Sequence, residues 1–376
     1  MRFEFTELTP AELALQADVR AFLAEELPPG SFEPGLGMAA RPDREFSRKL
    51  AARHWVGMAL PAEYGGGDRS PVERFVVVEE LLRWGAPVGY HWFADRQSGP
   101  LIARVGTSEQ KQRFLPAICR AEVSFCVGMS EPDAGSDLAS VKTRATRVDG
   151  GWTVSGTKLW TTGAHYHDWM ITLVRTSDEG ERHRGLSQVL IDLHDTRVHV
   201  NPIPFIDGTA DFNEVVLDEV FVPDTQVLGE VGNGWAQVNS ELALERAGPE
   251  RWLSTYLLVE QLLRERPAAD DPLTLAFLGE VTSRWWGIRQ LSLSIARMVE
   301  QGVEPSAEAA LVKEMGSRFE QEVLDGVCSL LDLEPSPFAA SLLERLVANA
   351  VLTNASFTVR GGTIEILRSV AAKGLR

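Results

Sequence analysis

Three stretches of this 376-residue chain hold residue types that do chemistry, closely spaced. The first is "VGMSEPDAGSDLAS", Val127 to Ser140, an apolar run that turns at Ser130-Glu131-Pro132-Asp133 and ends in a small-residue loop. Ser130 falls at a predicted strand end, Pro132 fixes a turn, and Gly135 lets backbone come close to another molecule. Taken alone it reads as a surface turn; the alternative is a loop that offers backbone amides to a ligand. The second stretch, "SGTKLWTTGAHYHDW", is a strand leading into Trp160-Thr161-Thr162, followed by His165, His167 and Asp168. Two histidines and one aspartate, with no further ligand at a recognised spacing, do not make a metal site, so no metal is expected. The third, "ELALERAGPERW", puts Glu241 and Glu245 one helical turn apart, with Arg246 next to Glu245. A carboxylate there suits general-base chemistry, although helical spacing alone does not separate it from other Glu-Arg pairs such as Glu250-Arg251 and Glu344-Arg345.

The elements that must position these residues change character twice. Residues 1–121 read as helical: "TPAELALQADVRAFLAEEL" starts at Thr9-Pro10, "SPVERFVVVEELLRWG" runs from Ser70-Pro71 to Gly85, and Thr107 with Gln110 forms a capping-box pattern. Residues 122–232 read as short strands broken by Gly, Pro or charged turns, with a hairpin about Asp149-Gly150-Gly151; an antiparallel barrel or sandwich is expected. Residues 233–376 turn helical again. One helix there carries Leu311, Met315, Phe319, Val323 and Val327 four apart, with Leu330 continuing the stripe, and reads as bundle core. The fold class is therefore α+β, with helices, then strands, then a four-helix bundle.

Composition narrows the function. Net charge is −16, and no basic run is long enough for a phosphate footprint, so nucleic-acid binding is not expected. Cys119, Cys126 and Cys328 have no metal-ligand spacing and suit a reducing compartment. No stretch reads as a signal peptide or a membrane span, and a cytoplasmic protein is expected.

Together, the Val127–Ser140 and Ser155–Trp169 stretches resemble the two signature segments of the acyl-CoA dehydrogenase family. "LPAEYGG", "EELLRWGAP", "GTSEQKQRFLP", "EVFVPDTQVLG" and "GGTIEILR" match further segments in the same order, over nearly the whole chain. The resemblance implies a helical, a β and a second helical domain, an FAD cofactor and an acyl-CoA substrate. It assigns Met129 and Ser130 to the flavin ring and ribityl chain, Trp160, Thr161 and Thr162 to the ring near N5, Ser136 to the CoA chain, and Thr363 to the flavin diphosphate.

The reaction needs a carboxylate to take a proton from the carbon beside the thioester carbonyl, while hydride leaves the next carbon. Many family members carry this glutamate just before the Gly-Thr of the C-terminal segment, where this chain has Gly361 preceded by Arg360. Others carry it on the first long helix after the β-domain, in Leu-x-x-Glu-Arg. That position is Glu245, the candidate base, with Arg246 as a neighbour able to bind or orient and Glu241 as the fallback. Two family segments that reach a neighbouring subunit's FAD, Arg-x-x-Phe-Gly and Gln-x-x-Gly-Gly, have no match in "LLRERPAADDPLTLAFLG" or "SLLDLEPSPFAASLLERL". The retained motifs serve the chain's own flavin. The resemblance therefore extends to the heteromeric α2β2 enzymes of actinobacterial sterol side-chain catabolism. It implies a homologous partner subunit, a bulky acyl group and an electron acceptor such as an electron-transfer flavoprotein. Competing expectations are a non-catalytic partner subunit, and a flavin oxidase, monooxygenase or carrier-protein-linked acyl dehydrogenase on the same fold.

Overall fold

The structure is a computed structural model that describes residues 1–39, 41–178, 182–265, 271–331 and 334–374; the side chains of residues 39 and 240–245 lie outside the description. Side-chain caps fix where the first helices begin. Thr9 and Glu12 bond reciprocally to open α1 (Pro10–Glu26), and Asp43 caps α2 (Arg44–Ala52). Ser70 and Glu73 open α3 (Pro71–Trp84), which Gly85 ends at φ 69°, a left-handed stop. After α4 (Gly99–Val105), Thr107 and Gln110 box the start of α5 (Ser108–Cys119).

Among the described residues eight strands follow: β1 (Phe125–Gly128), β2 (Arg144–Val148), β3 (Gly151–Thr162), β4 (Trp169–Arg175), β5 (Leu186–Asp192), β6 (Val198–Ile203), β7 (Phe212–Pro223) and β8 (Val227–Leu228). Their order is β6-β7-β3-β2-β4-β5-β8, with β1 beside β4. The hairpin reads as its residues suggest: Val148 faces Gly151 across the turn. The sheet is antiparallel with two exceptions. β1 runs parallel to β4 with Phe125 opposite Trp169, and β2 meets β4 in parallel at one pair, Arg144 and Arg175. The β2–β3 hairpin separates β1 from β4, which gives the chain length to return in the same direction.

The chain then forms α6 (Gly234–Glu245), α7 (Tyr256–Glu265), α8 (Pro272–Glu300), α9 (Ser306–Leu330), α10 (Leu342–Val359) and α11 (Ile364–Lys373). Among the described residues, no helix is long and apolar enough to cross a membrane. Two compact units result, one of Arg41–Arg69 with Val88–Leu242 and one of Met1–Ala40, Ser70–Pro87 and Ala243–Arg376. The sheet unit has an aliphatic core that includes Val154, Met170, Val189, Ile191, Val215 and Leu217. In its second core, Phe114, Leu115 and Ile118 of α5 pack with Phe125, Trp169 and Leu190. In the helical unit, buried ion pairs join elements distant in sequence: Glu79–Arg289 at 2.6 Å and Glu12–Arg297 at 2.6 Å.

The predicted stripe on α9 holds only in part. Phe319, Val323 and Val327 are buried, but Met315 is 37% exposed, and Ala309, Ala310, Val312, Glu320 and Leu324 complete the inner face. Four residues span about 400° of helix, so a strict four-residue spacing drifts about 40° per step and leaves the core side.

Candidate active site

The sheet unit places the first two stretches side by side. β1 delivers Met129 and Ser130, both half-buried, just past its end. β3 delivers Trp160, Thr161 and Thr162 at its own end. The two are joined by backbone, since the Leu159 amide donates to the Ser130 carbonyl at 2.9 Å.

A β-bulge aims Trp160 outward. Lys158 faces Val215 on β7 and Thr161 faces Asn213, so β3 spends one residue more than its partner over this interval. Trp160 takes up the extra residue at φ 64°, a region that bulky residues rarely adopt, and its side chain is 54% exposed. Thr161 is buried, and its hydroxyl has no hydrogen-bond partner among the described residues. The fully buried Asn213 ties the strand end down: its amide donates to the Thr161 carbonyl at 2.9 Å, and its Oδ1 lies 2.9 Å from His165 Nδ1. His167 is buried against Phe93 and Tyr166, and burial pushes its imidazole down to about 3. Asp168 caps the start of β1, accepting from the Ser124 amide and hydroxyl at 2.8 Å each. Ser136 is exposed on the loop after Pro132.

The remaining candidates lie on α6 and around the start of α11. Glu245 ends α6, with its side chain outside the described residues, as is that of Glu241. Arg246 is half-buried, and its Nε donates to the Gly361 carbonyl at 3.3 Å. Gly361 and Gly362 both have positive φ (68° and 103°) and lead into Thr363, whose hydroxyl caps α11 by accepting from the Ile366 amide. Arg246, Thr363 and the Gly-Gly turn thus share one locus.

Around that turn lies a buried charged cluster that sequence reasoning missed. Lys313 is fully buried and donates to the carbonyls of Phe357, Thr358 and Gly362 at 3.4, 3.3 and 2.9 Å. Burial, with Arg251 and Arg360 nearby, pushes its ammonium down to about 7. Arg360 pairs with the fully buried Glu320 at 2.5 Å and donates to Ser254 Oγ at 2.9 Å. Glu320 also accepts from the Ser254 amide at 2.8 Å. The available signal was weak: Lys313 and Glu320 are charged residues on the apolar face of a helical stripe. A second missed pair, Glu131 and Lys158, lies under the β1–β3 junction; Lys158 sits at a buried position of β3.

A cavity of about 640 Å³ in the helical unit is lined by Arg20, Glu80, Arg83, Trp84, Tyr256 and Arg345 among others, and by none of the predicted site residues. Its polar groups pair with each other, with Arg20 on Glu80 at 2.9 Å and Arg83 on the Tyr256 hydroxyl at 2.8 Å.

Comparison with known proteins fits this arrangement. Residues 9–122 match the family model "Acyl-CoA dehydrogenase, N-terminal domain" and residues 126–220 match "Acyl-CoA dehydrogenase, middle domain". The chain is 34% identical to acyl-CoA dehydrogenase IpdE1 of Mycobacterium tuberculosis, with 95% of each chain covered. It is 35% identical over 334 residues to FadE34 of the same organism, and covers 87% of its own length but only 44% of that relative's. Among solved structures, the "Tcur3481-Tcur3483 steroid ACAD" superposes with a TM-score of 0.86 at 28% identity, covering 98% of both chains. The ChsE4-ChsE5 complex from Mycobacterium tuberculosis does so with a TM-score of 0.83 at 26% identity, covering 100% of both chains. The helix–strand–helix order, the matched models and the near full-length relative agree: the chain belongs to the acyl-CoA dehydrogenase family.

Proposed function

We propose that this chain is the catalytic subunit of a heteromeric, FAD-dependent dehydrogenase that introduces a double bond between the α and β carbons of an acyl-CoA thioester. One observation carries the cofactor reading: the bulge in β3 holds the Trp160 indole exposed, at a conformational cost, one residue from the Leu159–Ser130 hydrogen bond. A large aromatic held outward in strained backbone is what a flat ring requires as a wall. Ser130 and Thr162 supply neighbouring hydroxyls, with Met129 and Thr161 beside them in the chain. The residues present therefore fit an isoalloxazine ring, and Thr363 at the capped start of α11 suits a diphosphate. FAD would supply the hydride acceptor.

The chain's own residues would do the rest. Glu245 takes the proton from the α carbon. Arg246, held on the Gly361 carbonyl, orients the group it follows in sequence. Ser136, exposed on its loop, meets the CoA chain. The absence of Arg-x-x-Phe-Gly and Gln-x-x-Gly-Gly segments supports a homologous second subunit that completes each FAD site in an α2β2 assembly. The likeness to a steroid dehydrogenase and to a two-protein complex supports the same reading, with a bulky, sterol-like acyl group. Electrons would pass to an acceptor such as an electron-transfer flavoprotein, in the cytoplasm.

The test is co-expression with a homologous partner subunit, reading FAD content and bleaching of the flavin band by a steroid acyl-CoA. One FAD per heterodimer and bleaching under anaerobic conditions are expected. A chain that forms a homotetramer with stoichiometric FAD on its own would contradict the heteromer, and rapid peroxide formation would point to an oxidase.

A further inference from the structure

β1 and β3 carry the two segments to which the flavin reading assigns the ring, yet they are not ladder neighbours. β1 pairs with β4, and β3 pairs with β2 and β7. No ladder joins Met129-Ser130 directly to Trp160-Thr162, so direct contacts between the two segments must set their spacing. Besides the Leu159–Ser130 hydrogen bond, the link is a buried ion pair. Lys158 is fully buried, and its Nζ donates to Glu131 Oε1 at 2.8 Å and to the Met129 carbonyl at 3.2 Å. Glu131, also buried, accepts from the Lys142 amide at 2.6 Å and the Thr143 amide at 3.0 Å. Its backbone bonds reciprocally with Ala134, at 2.8 and 3.2 Å, closing the turn that begins the loop.

We propose that Glu131 and Lys158 are a positioning pair: together they clamp the end of β1, the loop into β2 and the end of β3 into the spacing that a flavin ring requires. The claim rests on the FAD reading and deepens it. Every oxygen and nitrogen of the pair goes to backbone of a flanking segment or to the other partner, as a spacer needs. Close packing shows the same constraint, because a Cβ at Gly128 would lie 2.5 Å from Met170 Sδ and 3.3 Å from Lys158 Cγ. The lysine stem passes directly beneath the strand end. In a low-dielectric interior the charged pair resists separation, so the two segments move as one.

The charges also behave as a clamp would. Burial pushes the Glu131 carboxyl up, but Lys158 and its hydrogen bonds hold it below the usual range. Burial pushes the Lys158 ammonium down to about 8 despite Glu131. The ammonium is the less firmly held of the two charges.

Removing one partner strands a buried charge, so the decisive variant is the near-isosteric double Glu131→Gln/Lys158→Met, which removes both charges while keeping volume. It would be compared with Lys158→Met and with wild type, each with the partner subunit present, by far-UV circular dichroism, thermal melting, amide hydrogen exchange and FAD titration followed by visible circular dichroism. The proposal expects the double variant to stay folded. It expects exchange across residues 127–143 in the FAD-free protein to rise at least tenfold, and FAD to bind at least tenfold more weakly with an altered visible dichroism. A folded double variant that binds FAD within twofold of wild type, with the same dichroism, overturns it. Wild type that takes up no FAD at all would instead defeat the flavoprotein reading, and exchange in the FAD-free protein keeps the two failures apart.

Discussion

The guanidinium carbon of Arg251 lies 3.1 Å from where a β-carbon on Gly361 would stand, and Gly361 has a left-handed φ of 68°. The position at which many family members carry their base is therefore both conformationally restricted and covered by a cation. Gly361→Ala is expected to destabilise the chain by about 1–2 kcal/mol, read by thermal melting. Gly361→Glu is not expected to restore flavin reduction to a Glu245→Gln variant. Recovery of reduction would show that the turn tolerates a base after all.

Trp160 separates binding from stability. Its side chain is more than half exposed and packs edge-on with Phe212 at 6.0 Å between ring centroids. Trp160→Ala should change the melting temperature of the FAD-free chain by no more than about 2 °C, since little buried area is lost. It should weaken FAD binding at least tenfold. Equal affinities would remove the indole from the cofactor site.

The Arg360–Glu320 pair has a structural role. Glu320 is fully buried and accepts from both Arg360 and the Ser254 amide. Glu320→Ala leaves a largely covered guanidinium, 15% exposed, without its carboxylate and should cost about 3 kcal/mol, measured by denaturant titration. A loss under about 1 kcal/mol would mean that the cluster relaxes or admits water.

Acid sensitivity follows from the buried imidazoles. His91 is buried with Nδ1 2.8 Å from Ser47 Oγ, and burial pushes its pKa down to about 4 from 6.5. The unfolded chain takes up the proton below about pH 6.5, while the folded chain refuses it until about pH 4. Stability attached to this group is therefore present above pH 6.5 and lost progressively toward pH 4, on the order of 3 kcal/mol at full titration. His91→Gln should flatten the dependence of the melting temperature on pH over that window. An unchanged slope would place the acid sensitivity elsewhere.

Much of this architecture was legible in the residues. Thr9, Ser70 and Thr107 mark helix starts because a side-chain oxygen three residues before a free amide is a local device, and Asp149-Gly150 marks the hairpin for the same reason. Tertiary features were harder to read. The parallel β1–β4 ladder joins residues more than forty apart, and no local pattern encodes it. The outward turn of Trp160 depends on a bulge defined against β7, and Met315 left the predicted stripe because helical phase drifts. The Lys158–Glu131 and Lys313 contacts were illegible for another reason. A charged residue inside an apolar pattern shows that a partner exists but not which one.

The most direct test of the central claim is anaerobic reduction of the Glu245→Gln variant, assembled with its partner subunit and titrated with a steroid acyl-CoA. A catalytic Glu245 predicts wild-type FAD content, thioester binding close to that of wild type, and bleaching of the flavin band at least about a thousandfold slower, as expected when a general base is removed. Bleaching at the wild-type rate would contradict it.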